Sequence, residues 1–233
     1  MTTILLHAVG LDAGSWKFAQ IPDAVAMDMA GFGDQPLPAG GLRETDMADD
    51  VVRRAPEGPL DVVGVSMGGQ VALLMGLRHP DRIRSLVVAN TGPAANPDVM
   101  RERAAAARQG GMESVIPATL ERWFTPEAIE SNHPGVEYAR DRLRRDDPET
   151  FASGWDAIAE HNVKDRLGQL RMPVTVIAGD ADKAGPVDHV REIHEGIPGS
   201  RFVVLPGPHI LYMEFPDRFR AAVLEHLEWV SKR

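Results

Sequence analysis

Three short apolar runs in this chain each end in a residue that could take part in nucleophilic catalysis. The first, Leu60 to Val65, ends in Ser66, and the local sequence is Val62-Val63-Gly64-Val65-Ser66-Met67-Gly68-Gly69-Gln70. A helix-forming run, Gln70 to Arg78, follows at once, so the serine stands at the apex of a strand, a tight turn and a helix. Glycines two positions to either side remove the side chains that such a corner would force together. The turn lifts the hydroxyl clear of the sheet and turns the Met67 amide, at a helix N-terminus, toward the place where an oxyanion would form. A serine hydroxyl is a weak nucleophile at neutral pH and needs a base, which in turn needs an orienting acid. Val174 to Ala178 runs into Gly179-Asp180-Ala181-Asp182, and Phe202 to Leu205 runs into Pro206-Gly207-Pro208-His209. The order Ser, Asp, His, each just after a strand, is the order in which one α/β scaffold supplies nucleophile, acid and base. Either Asp180 or Asp182 suits the acid role, and either suits a turn-stabilising aspartate.

The elements that must carry these residues follow from the apolar pattern. Thr2 to Leu6, Ala24 to Met27, Leu60 to Val65, Ser85 to Ala89, Val174 to Ala178 and Phe202 to Leu205 are short runs, apolar on both faces. Helical patterns at Thr45 to Arg54, with Thr45 as cap, at Val187 to Glu195 and at Glu214 to Lys232 separate or follow them. Short doubly buried strands alternating with helices predict a doubly wound, mostly parallel sheet. Residues 94–162 break that rhythm, with helical runs at Asp98 to Arg108, Ser114 to Phe124, Val136 to Arg145 and Pro148 to Glu160. The pattern therefore predicts a core made of residues 1–93 and 163–233 and a helical cap of 94–162 near the carboxyl end of the sheet, where ligands of such folds bind.

Composition narrows the classes of function. The chain has 233 residues and a formal net charge of −9, which argues against nucleic acid or anionic membrane as partner. There is no cysteine, hence no thiolate nucleophile or thiolate metal site, and no histidine pair has metal-ligand spacing. No apolar run approaches membrane-spanning length and the N-terminus has no signal-peptide pattern, so the expected location is the cytoplasm.

The ordered motifs resemble those of the α/β-hydrolase superfamily over nearly the whole chain. His7-Ala8-Val9-Gly10 is similar to its oxyanion loop, Asp28 to Gly33 to its Asp-x-x-Gly-x-Gly turn, and Gly179 to Asp182 to its acid loop. His209 followed by Glu214-Phe215-Pro216 is similar to its histidine loop and last helix. The resemblance implies Asp182 as the triad acid, Val9 as the second oxyanion amide beside Met67, and a structural hydrogen-bonding role for His7. The inserted segment, with Met100 to Met112, Arg122-Trp123-Phe124-Thr125, Phe151 to Ile158 and Asp165-Arg166-Leu167, resembles the cap of 3-oxoadipate enol-lactonases. Three departures stand out: Ala8 replaces a usual glycine, the strand before His7 lacks the opening hairpin (an N-terminally trimmed fold), and Trp16 to Pro22 is short for a first helix.

The expectation is a serine hydrolase with triad Ser66, Asp182 and His209 that cleaves a small ester or lactone through an acyl-enzyme, with no cofactor or metal. Trp16, Trp123, Phe124, Trp155 and Ile210 are candidates to line the pocket, or else to form cap core. Arg122 and His133 are candidates for a substrate carboxylate, or else surface residues, and the run Arg140 to Arg145 reads as a solvated helix face. His79, His161, His189, His194 and His226 read as surface or cap residues. Carbon–carbon bond hydrolysis or lysis, perhydrolysis and slow-turnover ligand reception remain open alternatives, because the same scaffold hosts different chemistry.

Overall fold

A computed structural model describes residues 1–233. Six strands form one sheet: β1 Thr2–Leu6, β2 Ala24–Met27, β3 Leu60–Val65, β4 Ile83–Ala89, β5 Val174–Gly179 and β6 Arg201–Leu205. Their order is β2-β1-β3-β4-β5-β6 and every pairing is parallel, so the carboxyl ends of all six share one edge. β3 and β5 are buried throughout, as their apolar runs require in the middle of a doubly covered sheet. β2 and β6 are edge strands and depart from the expectation of burial on both faces: Val25 and Val204 are exposed because no neighbour covers that side.

The helices of the sheet layer are α1 Glu44–Arg54, α2 Met67–Arg78, α7 Val187–Gly196, α8 Leu211–Glu214 and α9 Pro216–Ser231. α1 begins at Glu44 with Arg43 at its cap position and no side-chain cap, so the expected Thr45 cap is not used. A single 3₁₀ turn, Ala13–Lys17, stands in the short stretch after β1.

Between β4 and β5 the chain makes only helices: α3 Pro97–Trp123, α4 Pro126–Glu130, α5 Pro134–Arg145 and α6 Pro148–Ala159. Each starts on a proline preceded by a capping side chain, namely Asn96, Thr125, His133 and Asp147. His133 is thus occupied, its Nδ1 accepting the Gly135 N–H at 3.0 Å. The two expected helices at Asp98 and Ser114 are one interrupted element, broken at Gly111 (φ 69°, ψ 176°), which lets α3 fold back over α6. The insertion leaves and rejoins the sheet layer through one neck. Ala94 bridges Asn162, the Ala95 N–H donates to the His161 carbonyl at 3.0 Å, and the Val163 N–H to the Pro93 carbonyl at 2.8 Å.

Candidate active site

Ser66 occupies the corner between β3 and α2 with φ 56° and ψ −123°, a conformation that costs a non-glycine residue of order 1–3 kcal/mol and persists only where its surroundings impose it. Those surroundings are backbone. A Cβ on Gly64 would lie 2.1 Å from the Gly68 carbonyl oxygen, and one on Gly68 would lie 2.3 Å from that of Leu6. The amino end of α2 is therefore pressed against the ends of both β1 and β3. The Ser66 N–H donates to the Ala89 carbonyl at 2.9 Å, and the Ser66 carbonyl takes the amides of Gly69 and Gln70, at 2.8 and 3.1 Å. The Met67 amide, in the first turn of α2, is left without an acceptor in the protein.

His209 and Asp182 meet at the neighbouring strand ends. His209 Nδ1 donates to Asp182 Oδ2 at 2.8 Å, and both residues are buried. The other carboxylate oxygen, Oδ1, takes the amides of Ala184 and Gly185 at 2.7 and 2.8 Å, which fixes the carboxylate while leaving Oδ2 for the imidazole. With Nδ1 engaged as donor, Nε2 is the nitrogen left to act on a hydroxyl. Asp180 points elsewhere: its Oδ1 takes the Gly207 N–H at 2.9 Å and secures the loop that carries His209.

The loop after β1 is a tight turn closed by the Leu11 N–H donating to the Ala8 carbonyl at 3.1 Å, with Gly10 at φ 72°. Its central amide, that of Val9, donates to no group of the protein. His7 supports this turn from below. Its Nδ1–H donates to the Ala8 carbonyl at 2.8 Å, and its Nε2 accepts the Met29 N–H at 3.1 Å. Complete burial lowers the His7 pKa and keeps the ring neutral, which that pair of bonds requires.

Ser66 and His209 face one cavity of about 240 Å³, roofed by the helical insertion. Arg122, Trp123 and Trp155 line it. Trp16, Phe124 and Ile210 do not. The Trp16 ring stacks on Tyr212 with centroids 4.2 Å apart, Phe124 is buried at the end of α3, and the Ile210 amide is tied to the Trp123 carbonyl at 3.1 Å. All three belong to the buried core instead of the cavity lining.

Two further groups complete the lining. Arg103 stands over the Trp155 ring, 4.7 Å from its centroid, and Arg122 donates to the Thr119 hydroxyl at 3.0 Å. Burial, and then the proximity of Arg103, pushes the Arg122 pKa down to about 10, which still leaves it charged at neutral pH. Arg103 is lowered by burial as well. Both guanidiniums are half-buried and free of any salt bridge.

Asn90, just past β4, is a residue that the motifs of the sequence do not single out. It holds the left-handed conformation (φ 50°), which asparagine tolerates, and clamps together the loops that carry Asp182 and His209. Its Nδ2 donates to the carbonyls of Pro208 and His209, at 3.1 and 2.6 Å, and its Oδ1 takes the Gly179 N–H at 2.8 Å. Its position at a strand's carboxyl end, like that of Ser66 and Asp182, was the available signal. His189, expected on the surface or cap, stands at the cavity rim, so close to Gly92 that a Cβ there would lie 1.9 Å from its Nε2. His226, also expected at the surface, is buried behind β5 with Nδ1 2.8 Å from the Thr175 hydroxyl.

A family model described as the alpha/beta hydrolase fold matches residues 18–216. The chain belongs to the α/β-hydrolase family. Among curated relatives of this α/β-hydrolase, the 3-oxoadipate enol-lactonase 2 of Acinetobacter baylyi is 30% identical, with 99% of this chain and 88% of that protein covered. A pimeloyl-[acyl-carrier protein] methyl ester esterase of Aeromonas hydrophila is 28% identical over 96% of this chain and 93% of its own. Among solved structures, the enol-lactonase from Burkholderia xenovorans superposes with a TM-score of 0.93 at 28% identity, covering 97% of this chain and 91% of that one.

Proposed function

We propose that this α/β-hydrolase cleaves a small carboxylic ester or lactone through an acyl-enzyme formed on Ser66, with acidic, enol-lactone-like substrates favoured, and that it acts in the cytoplasm. The observation that carries the reading is the strained Ser66 corner facing the same cavity as His209, itself backed by Asp182 at 2.8 Å. His209 Nε2 takes the hydroxyl proton as Ser66 Oγ bonds to the carbonyl carbon. Asp182 keeps Nδ1 protonated and stabilises the imidazolium. The amides of Met67 and Val9, both without protein acceptors, hold the tetrahedral oxyanion, at roughly 3–4 kcal/mol for a well-aimed donor. His209 then gives its proton to the departing alkoxide. Water, activated by the same nitrogen, frees the acid and restores Ser66.

Residues 94–162 act as the cap that sets the substrate. The preference for an acid is supported by Arg103 and Arg122, two half-buried cations that line the cavity and make no salt bridge within the chain. It is also supported by the enol-lactonase named among the relatives. A carboxylate on the substrate would take the guanidinium hydrogens and orient the carbonyl toward Ser66.

Labelling with a fluorophosphonate and turnover of p-nitrophenyl acetate test the nucleophile. Ser66→Ala should abolish labelling and lower kcat by roughly 10³-fold or more; a variant keeping most of its activity removes Ser66 from this role. Half-esters of dicarboxylic acids, compared with their neutral methyl diesters, test the subsite. Arg103→Gln combined with Arg122→Gln should raise KM for the acids by at least tenfold while moving the diesters far less. Equal effects on both series would deny the anion subsite.

A further inference from the structure

We infer that Asp12 and Arg142 are positioning residues through which the helical insertion aims the Val9 amide, so that the insertion sets the oxyanion site as well as roofing the cavity. The inference rests on the proposed role of that amide.

The turn that presents Val9 is held weakly by its own backbone, with one closing hydrogen bond from Leu11 to Ala8. From outside, the insertion lies directly on its two central residues. A Cβ on Gly10 would be 2.7 Å from both Leu143 Cδ2 of α5 and Phe151 Cε2 of α6, and one on Gly154 of α6 would be 2.8 Å from Val9 Cγ2. Only glycines on both sides allow this approach, so the turn cannot shift outward without displacing α5 and α6.

Asp12, next along the chain, fastens the contact. Its Oδ2 takes the Arg142 Nε–H at 2.9 Å and its Oδ1 the Tyr138 hydroxyl; the two donors stand four residues apart on one face of α5. Arg142 is buried, contrary to the solvated face expected for Arg140 to Arg145, and its Nη1 also binds Asp146 Oδ1 at 2.5 Å. On the other side, the Asp12 carbonyl takes the Ser15 hydroxyl at 2.6 Å, and Ser15 Oγ takes the Tyr212 hydroxyl at 2.7 Å. Tyr212 lies in α8, which begins two residues after His209. One chain of polar contacts thus runs from α5 through the end of the oxyanion turn to the segment following His209. Neither Asp12 nor Arg142 reaches Ser66 or lines the cavity; they act through Val9.

An oxyanion donor left in place but misaimed should cost less than a donor removed, for which 10²–10³-fold is typical. Asp12→Asn and Arg142→Gln are each expected to lower kcat on p-nitrophenyl acetate by about 10- to 50-fold with KM moved less than threefold. The double variant should be no worse than the poorer single one, because the two side chains serve one contact. Affinity for an alkyl boronic acid, which forms a tetrahedral adduct on the serine, should weaken by the same factor as kcat/KM falls. A clamp with a structural role alone would lower the melting temperature and leave both the kcat and the boronate affinity within twofold, and that result would overturn the inference. Should the Arg142 variant not fold, Tyr138→Phe, which keeps the ring and removes one donor to Asp12, decides instead: a three- to tenfold loss of kcat supports the inference and none refutes it. Fluorophosphonate labelling of the wild type separates the two levels. Normal labelling with unaffected Asp12 and Arg142 variants sinks only the positioning role, whereas a wild type that is never labelled sinks the proposed catalysis beneath it.

Discussion

Two buried carboxylate–imidazole pairs of similar local geometry lie in this chain. In one, His209 Nδ1 stands 2.8 Å from Asp182; in the other, His161 Nδ1 stands 2.6 Å from Glu44. They differ in what surrounds them. The second oxygen of Asp182 is held by two amides, and the far side of His209 opens on a cavity with a strained serine. The second oxygen of Glu44 and the Nε2 of His161 have no hydrogen-bond partner, although the pair lines a cavity of its own, which Thr45 also lines. Burial raises the Glu44 pKa, with His161 opposing that shift. The second pair joins α1 to the residue whose carbonyl closes the neck. Space beyond the imidazole is therefore common to both pairs, and what separates them is the strained serine that shares the cavity of His209.

The largest expected effect breaks the first pair. Asp182→Asn should lower kcat by roughly 10⁴-fold, since the amide favours the wrong imidazole tautomer. Asp180→Asn, which touches only the Gly207 amide, should cost far less, and the reverse order would transfer the acid role. Glu44→Gln should leave kcat within about twofold; a loss comparable with that of Asp182→Asn would erase the distinction drawn between the pairs. Next in size is stability. Removing one partner of the second pair, as in His161→Ala, should cost about 3–5 kcal/mol by urea unfolding, because it strands a buried carboxylate. The sign with pH follows from the raised Glu44 pKa: folding binds a proton more readily there than the unfolded chain does, so the pair's contribution grows as pH falls and shrinks as pH rises. Wild type should therefore gain on Glu44→Gln toward acid pH, and a constant difference across the range would contradict it.

The positions proposed for the triad are readable in the sequence because they rest on short-range sterics. Glycines at 64 and 68, and apolar runs ending in polar residues, are properties of neighbouring positions, and the parallel sheet brings all the strand ends together. What could not be read depends on partners distant in sequence. Arg142 looked solvated because Asp12 is more than a hundred positions away, and Trp16 looked available because Tyr212, which stacks on it, is farther still. Arg103 stands out from neighbouring arginines only when the fold denies it a counter-ion. Strand exposure at β2 and β6 likewise depends on strand order, which an apolar run of four or five residues does not encode.

The smallest of these effects concerns another buried histidine, whose partner is a hydroxyl instead of a carboxylate. His226 donates or accepts one bond with Thr175, its Nε2 has no partner, and burial pushes its pKa down to about 4. Below its ordinary value of 6.5 the unfolded chain takes up a proton that the folded protein refuses, so stability falls as pH drops through that window. The loss should total on the order of 3 kcal/mol by pH 4. It should be absent from His226→Phe, whose urea midpoint would change less between pH 7 and pH 4 than that of wild type. Burial makes His226 resist protonation, and the Asp61 carboxylate, which makes no hydrogen bond to the ring, only partly opposes that. Equal acid slopes in wild type and His226→Phe would mean that the hydroxyl partner serves the ring as well as a carboxylate does.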